Sequence, residues 1–341
     1  MTIRHMGPLC LALLLSLLTF AQTVEAKDMA DKKRGVTVQK VSFPNSTITV
    51  VGNLFLPANF DAKKKYGAIV VVHPFGGVKE QTSGLYAQRL AEQGFIALAY
   101  DASHYGESGG EPRLKEVPAT RVEDVRSAVD YLSNHPQVDA NRIGALGICT
   151  GGAYAINAAQ TDTRIKAVAG VSVFDLGRAR REGVGGTITY EERMKRLEEI
   201  GKQRTLEARG EPVRLVPVVP DTPELFTEST PKLYREGYEY YRTPRAQHPN
   251  SPNRYIFTSL GLQMAFFPFE QIETISPRHL LLVAGSEADT LYFSQDAYDK
   301  AKEPKELFRI PGASHIDLYD RPQYVTPVVA KLKEFYNKAF R

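Results

Sequence analysis

Residues 142–159 read Arg-Ile-Gly-Ala-Leu-Gly-Ile-Cys-Thr-Gly-Gly-Ala-Tyr-Ala-Ile-Asn-Ala-Ala. Arg142–Ile148 reads as a strand and Ala153–Ala159 as a helix of small residues. Between them stands Gly147-Ile148-Cys149-Thr150-Gly151, a glycine-flanked residue at a strand-to-helix junction. A sharp turn of this kind lifts its central side chain above the edge of the sheet. The glycines allow backbones to approach closely around a strained residue. The helix N-terminus that follows carries partial positive charge, which lowers the pKa of a thiol placed there. Cys149 is therefore the candidate nucleophile, and a neighbouring histidine would lower its pKa further. The plainer alternative is a small buried hydrophobe, which free cysteines often are.

Working outward, the chain alternates strands and helices on both sides of this junction. Val36–Leu56 reads as two strands joined at Pro44-Asn45-Ser46. Ala68–Val72 (AIVVV) is a continuous apolar run, as in a strand covered on both faces. A helix over 80–93, the strand Phe95–Tyr100 and a helix striped by Val122, Val125, Val129 and Leu132 precede the junction. The strand Ile165–Val173 follows it. The rhythm lapses between Asp175 and Ser276, then resumes with His279–Gly285, Glu306–Gly312 and a C-terminal helix. A β-α-β-α order implies a mostly parallel central sheet flanked by helices. The hundred residues of 176–275 are too long for a structureless loop, so they are expected to be an insertion capping the sheet. Within it, 190–200 has an amphipathic pattern, and Tyr234, Tyr238 and Tyr241 fall at helical spacing. The core is then expected over 27–175 and 276–341.

A second glycine-flanked motif, Gly106-Glu107-Ser108-Gly109-Gly110, matches the serine form of the same turn. A polar segment separates it from the preceding strand and Glu111-Pro112 follows it, so the strand-to-helix context is missing. Ser108 is expected to be a polar loop residue.

The partners of Cys149 fall in the chain order nucleophile, acid, histidine that belongs to α/β-hydrolases. Asp289 follows the strand His279–Gly285, and His315 lies in the loop after the final strand. Asp289 would orient the imidazole of His315, and His315 would act as base and then acid. Glu287 and Asp175 are rival acids by position. The oxyanion hole is expected from the amide of Thr150 and one amide of His73-Pro74-Phe75-Gly76-Gly77. Phe75 is the choice because Pro74 has no N–H; the alternative is that this loop is only a turn. His73, His104 and Tyr105 are expected to line the site. HExxH and similar zinc spacings are absent, as is GxGxxG after a strand, so neither a metal nor a cofactor is expected.

Gly147-Ile148-Cys149-Thr150-Gly151-Gly152 is similar to the Gly-Tyr-Cys-Leu-Gly-Gly elbow of dienelactone hydrolases. The stretches HPFGGVKEQ, DASHYGESGGEPR and GSEADTLYFSQDAYDK resemble bacterial hydrolases related to that family. The resemblance runs from about Val36 to the C-terminus. It implies the α/β-hydrolase fold and a Cys-His-Asp triad on Cys149, His315 and Asp289. Dienelactone hydrolases carry a glutamate beside the second oxyanion amide where this chain has Pro74, and they lack a long cap and a leader. The reaction class carries over, and dienelactone as substrate does not. Hydrolysis of a carboxylic ester, lactone or thioester through an acyl-cysteine is the expectation. Amide or peptide hydrolysis on the same triad, and binding without catalysis on a hydrolase scaffold, are the rival readings.

At the N-terminus, Arg4 and His5 precede an apolar run from Leu9 to Ala21, and Val24-Glu25-Ala26 suits cleavage before Lys27. This is the pattern of a secretory signal peptide over 1–26, and the run falls short of the roughly 20 residues that span a bilayer. Export to the periplasm or medium, with no stable membrane insertion after cleavage, is expected. Of two cysteines, Cys10 lies in the leader, so the mature chain would carry one thiol and no internal disulfide. A net charge of +4 with both signs interspersed gives no basic stripe for nucleic acid. The expected partner is a small acyl substrate.

Overall fold

The computed structural model describes residues 35–341, and the expected leader lies outside the described residues. Eight strands form one sheet in the order β1-β2-β4-β3-β5-β6-β9-β10. Strands β1 (Thr37–Asn45) and β2 (Ile48–Leu56) form an antiparallel hairpin, and Ser46 turns it with φ of 51°. β2 runs antiparallel to β4 (Ile96–Tyr100), and all remaining neighbours are parallel. These are β3 (Tyr66–Val72), β5 (Val138–Ile148), β6 (Ile165–Val171), β9 (His279–Gly285) and β10 (Lys305–Ile310). Every residue of β4 is buried, as its unbroken apolar sequence requires in a sheet covered on both faces.

The flanking helices are α1 (Thr82–Glu92), α2 (Pro118–Ser133), α3 (Thr150–Thr161), α8 (Leu291–Lys300) and α10 (Pro322–Ala339). α10 is tied to the sheet by Tyr336, whose buried hydroxyl donates to the Ala145 carbonyl at 2.7 Å. The chain has the α/β-hydrolase fold.

Residues 176–275 leave the sheet. They form α4 (Leu176–Glu182), α5 (Tyr190–Ala208), a small antiparallel pair of β7 (Leu215–Pro217) and β8 (Arg254–Ile256), α6 (Lys232–Arg242) and α7 (Ser259–Met264). The amphipathic pattern of 190–200 does become a helix, opened by a capping box between Thr189 and Glu192. Its apolar side is not covered, however: Tyr190, Met194, Leu197 and Leu206 are exposed, and Ile200 is its one buried residue. α6 behaves differently, with Leu233, Gly237, Tyr240 and Tyr241 buried against the core.

Candidate active site

Cys149 occupies the turn between β5 and α3 with φ 57° and ψ −126°, a conformation that L-residues adopt rarely. Holding it costs about 1–3 kcal/mol, so the surroundings must over-determine it. They do so through three backbone bonds. The Cys149 amide donates to the Val171 carbonyl at 2.9 Å, and its carbonyl accepts from Gly152 at 3.0 Å and Phe174 at 3.1 Å. A Cβ on Gly147 would collide with the Gly151 carbonyl, and one on Gly151 with the Val72 carbonyl. The two glycines of the motif are thus fixed by close backbone approach, as its sequence implied.

The thiol faces a cavity of about 50 Å³ lined by Phe75, Thr150, Phe174 and Tyr319 from the core. Val218, Val219, Leu233, Tyr234 and Tyr241 of the 176–275 segment line it as well, together with Arg180 of α4. Thr150 lies against the thiol, its hydroxyl 3.7 Å from Sγ. No backbone carbonyl accepts the Phe75 N–H among the described residues. Its loop is braced on both sides. Ser251 donates to the Gly76 carbonyl at 2.6 Å, and the buried ammonium of Lys79 bonds Asp101 at 2.8 Å and Glu107 at 2.5 Å.

His315 is fully buried, and the small helix α9 (Asp317–Asp320) begins two residues later. Its Nδ1 lies 2.5 Å from Thr290 Oγ1 and its Nε2 lies 3.3 Å from the Tyr319 hydroxyl. Nδ1–H donating to Thr290, with Tyr319 donating to Nε2, satisfies a neutral ring and leaves Nε2 as the basic nitrogen. Asp289 was expected in the place that Thr290 takes. Instead its Oδ2 accepts the Leu233 amide at 2.9 Å, in the first turn of α6, and its buried Oδ1 has no partner among the described residues. The physical reason is that a helix N-terminus offers unpaired N–H groups and a positive potential to a carboxylate one residue away from the histidine's partner. Of the rival acids, Asp175 accepts the Arg178 amide at 2.9 Å and caps α4, and Glu287 is exposed.

Burial pushes the Cys149 thiol up, with the Tyr319 and Thr150 hydroxyls acting against it, and pushes His315 down to about 3. The expected lowering of the thiol by the helix end and an imidazolium does not emerge, because burial desolvates both groups. Burial favours the uncharged form of each group, and the Tyr319 hydroxyl, 3.3 Å from His315 Nε2 and interacting with the thiol, stands between them.

The remaining candidates lie off this cavity. His73 bonds the Pro74 carbonyl through Nδ1 at 2.7 Å and accepts the Ala102 amide on Nε2 at 3.0 Å, pinning two loops together. His104 turns its Nδ1 to the Pro112 carbonyl at 3.1 Å, and the Tyr105 hydroxyl meets the Leu114 carbonyl at 3.5 Å and the Glu116 carboxylate. None of the three lines the Cys149 cavity, which corrects their expected role. Ser108 accepts from the Val51 amide at 2.8 Å and donates to the Asp101 carbonyl at 2.6 Å, so its hydroxyl is fully committed. Thr290, Tyr319 and Arg180 were missed. The signals available were slight: Thr290 adjoins Asp289, and Tyr319 stands four residues after His315.

The model of the dienelactone hydrolase family matches residues 52–172, which run from β2 through the oxyanion loop and the Cys149 turn to the end of β6. The chain is also 39% identical over 303 residues to the uncharacterized protein YcjY of Escherichia coli K12, covering 88% of this chain and 98% of that one. The chain belongs to the dienelactone hydrolase family. A solved structure of the same kind is the hypothetical protein PA2218 of Pseudomonas aeruginosa. It shares 39% identity and a TM-score of 0.84 with this dienelactone hydrolase family member, over 89% of this chain and 94% of that one. The thiohydrolase aneE of Aspergillus aculeatus is 25% identical over 257 residues, 74% of this chain and 77% of that one. This family member is thus an α/β-hydrolase enzyme.

Proposed function

We propose that this enzyme hydrolyses a small carboxylic ester, lactone or thioester through an acyl-cysteine on Cys149. The observation that carries the reading is the strained turn of Cys149, held at positive φ between β5 and α3 with its thiol facing an apolar cavity. A protein gains nothing in stability from such a conformation, and functional sites are where it recurs.

In the first step Sγ bonds the substrate carbonyl carbon as its proton passes to the Tyr319 hydroxyl, which gives its own proton to His315 Nε2. Proton transfer is coupled to attack, because burial disfavours a standing thiolate–imidazolium pair. The Thr150 and Phe75 amides receive the developing oxyanion, a contribution worth about 3–4 kcal/mol per donor in comparable sites. The imidazolium holds its second proton toward Thr290, and Asp289 contributes negative charge from the adjoining position. His315 then returns the proton to the leaving alkoxide or thiolate. A water activated by the same nitrogen releases the acid and restores the thiol. No step requires a metal or cofactor.

The thioester variant gains support from the thiohydrolase relative. It also has a chemical basis, since transfer from a thiol leaving group to a cysteine exchanges one thioester for another. A cavity of about 50 Å³ is far below the roughly 300–1,000 Å³ of pockets for drug-sized ligands, which favours a short acyl group. The test is a panel of short-chain esters, lactones, thioesters and peptides assayed on the wild type and on Cys149→Ala. Turnover of acyl esters or thioesters that the variant lacks supports the reading; exclusive turnover of peptides refutes it.

A further inference from the structure

Between α6 and β8 the chain reads RTPRAQHPNSPNRY over 242–255, a stretch stiffened by Pro244, Pro249 and Pro252. Its polar groups are committed to the core and to the cavity wall. Arg245 donates to both oxygens of Asp320, beside Tyr319, at 2.9 and 2.6 Å. The Ala246 carbonyl accepts from Gln81 Nε2 at 2.7 Å, and Ser251 donates to the Gly76 carbonyl at 2.6 Å. Asn253 takes both backbone groups of Val219, accepting its amide and donating to its carbonyl at 2.9 Å each. Gln81 and Gly76 both belong to the segment between β3 and α1 that carries the oxyanion loop.

That loop is a turn from Pro74 to Gly77, closed by the Gly77 amide on the Pro74 carbonyl at 3.0 Å. Gly76 stands at φ 71°, as the third residue of a type II turn requires. Such a turn uses the amide of its fourth residue and leaves that of its second, Phe75, for another partner. Residues 251–255 grip the turn beside that amide. The Tyr255 ring meets the Phe75 ring edge-on at 5.0 Å, and the Ser251 hydroxyl holds the Gly76 carbonyl. Val218, whose amide donates to the Asn253 carbonyl at 3.3 Å, would stand 2.8 Å from a Cβ on Gly76. Ser251 is itself fixed: it is buried, and its amide donates to the His248 carbonyl at 3.0 Å. Without its hydroxyl the buried Gly76 carbonyl would lose its partner at a cost of about 1–3 kcal/mol, enough to let the turn reorient.

We infer that Ser251 is a positioning residue of the oxyanion hole, holding the Gly76 carbonyl so that the Phe75 amide keeps its aim at the substrate oxygen. The inference rests on the acyl-cysteine reading with Phe75 as a donor. Ser251 touches no reacting atom and acts through the turn. The 176–275 segment is then part of the catalytic apparatus as well as a wall of the cavity, since a donor on the core takes its orientation from a hydroxyl 175 residues after Gly76. Donors that stabilise a transition state work only when a second layer of contacts locks them, and the bonds of His248 and Asn253 supply that layer here.

The test reads the oxyanion without turnover. Trifluoroacetone is titrated against the full chain and its adduct is followed by fluorine NMR. In the adduct Sγ bonds the ketone carbon, the carbonyl electron pair moves to oxygen as the oxyanion, and the thiol proton passes through the Tyr319 hydroxyl to His315. Ser251→Ala should weaken the adduct by about 10- to 100-fold, the scale of a misaligned donor and short of its complete loss. Ser251→Thr, which keeps the hydroxyl, should restore most of the affinity. Ser108→Ala gives up buried bonds to Val51 and Asp101 and should bind as the wild type does, which separates positioning from general destabilisation. On the best acyl substrate the loss in Ser251→Ala should fall on kcat, with KM within about threefold. Wild-type adduct affinity in Ser251→Ala would overturn the inference, whatever its melting curve shows. If that variant does not fold, Ser251→Cys puts a weaker donor in the same place; a smaller loss is then expected, and no loss overturns the inference. A wild type that forms no adduct on Cys149 would instead overturn the acyl-cysteine reading, and the inference with it.

Discussion

Replacing Thr290 by valine removes one hydroxyl and little else, and the structure sets the size of the effect. The Thr290 Oγ1 to His315 Nδ1 bond is 2.5 Å long and His315 is fully buried, so no solvent molecule takes over when the hydroxyl goes. A buried donor left without its acceptor costs about 1–3 kcal/mol. At roughly 1.4 kcal/mol per tenfold, and with the loss felt most when the ring is cationic in the transition state, kcat should fall about 5- to 150-fold. Asp289→Asn keeps an acceptor for the Leu233 amide and removes only a charge at a helix end, worth about 0.3–1 kcal/mol, so kcat should fall no more than about fivefold. Steady-state rates on the best acyl substrate, with a melting curve for each variant, measure both. A loss above a thousandfold in Asp289→Asn beside an active Thr290→Val would refute this. It would mean that Asp289 leaves α6 and supports His315 in the working enzyme.

Other expectations follow from the same geometry. With His315 pushed down to about 3, its base form is filled throughout pH 5–8, so kcat/KM should show no rising limb from the histidine in that window. Because the thiol is pushed up, alkylation of Cys149 by iodoacetamide should climb with pH beyond the ordinary thiol range of about 8.5; a plateau reached already at pH 5 would indicate a standing ion pair. Ser108→Ala should lose about 1–3 kcal/mol of stability in urea unfolding through its two buried bonds and keep kcat within about twofold. We also propose that the protein is exported and cut near Lys27, so that N-terminal sequencing of the exported form starts there. An intact Met1 on cytoplasmic protein would end that proposal.

The sheet was legible because its strands carry unbroken apolar runs, such as 68–72 and 280–285, as expected of doubly covered strands. The Cys149 turn was legible because its glycines are demanded by contacts local in sequence: Gly147 against Gly151. That Ser108 sits in a loop and not at a strand-to-helix turn could be read from the residues around it, although its buried bonds to Val51 and Asp101 could not. What escaped depends on choices of one residue or on distant packing. Thr290 and Asp289 are neighbours, and only the arrival of the α6 N-terminus, more than fifty residues away in sequence, decides which of them meets His315. His73 and His104 follow strands as site residues do, yet both are spent on carbonyls of their own loops. Arg180 carried no signal at all among its neighbours Arg178 and Arg181, since orientation on a seven-residue helix separates it from them.

Cys149 as the covalent nucleophile is tested most directly by quenching a turnover reaction in acid and measuring the mass of the Cys149 peptide. The expected result is an increase equal to the acyl group of the substrate, found on Cys149, lost on incubation with hydroxylamine and absent in Cys149→Ala. An acyl group found on Ser108, or full turnover by Cys149→Ala, would contradict it.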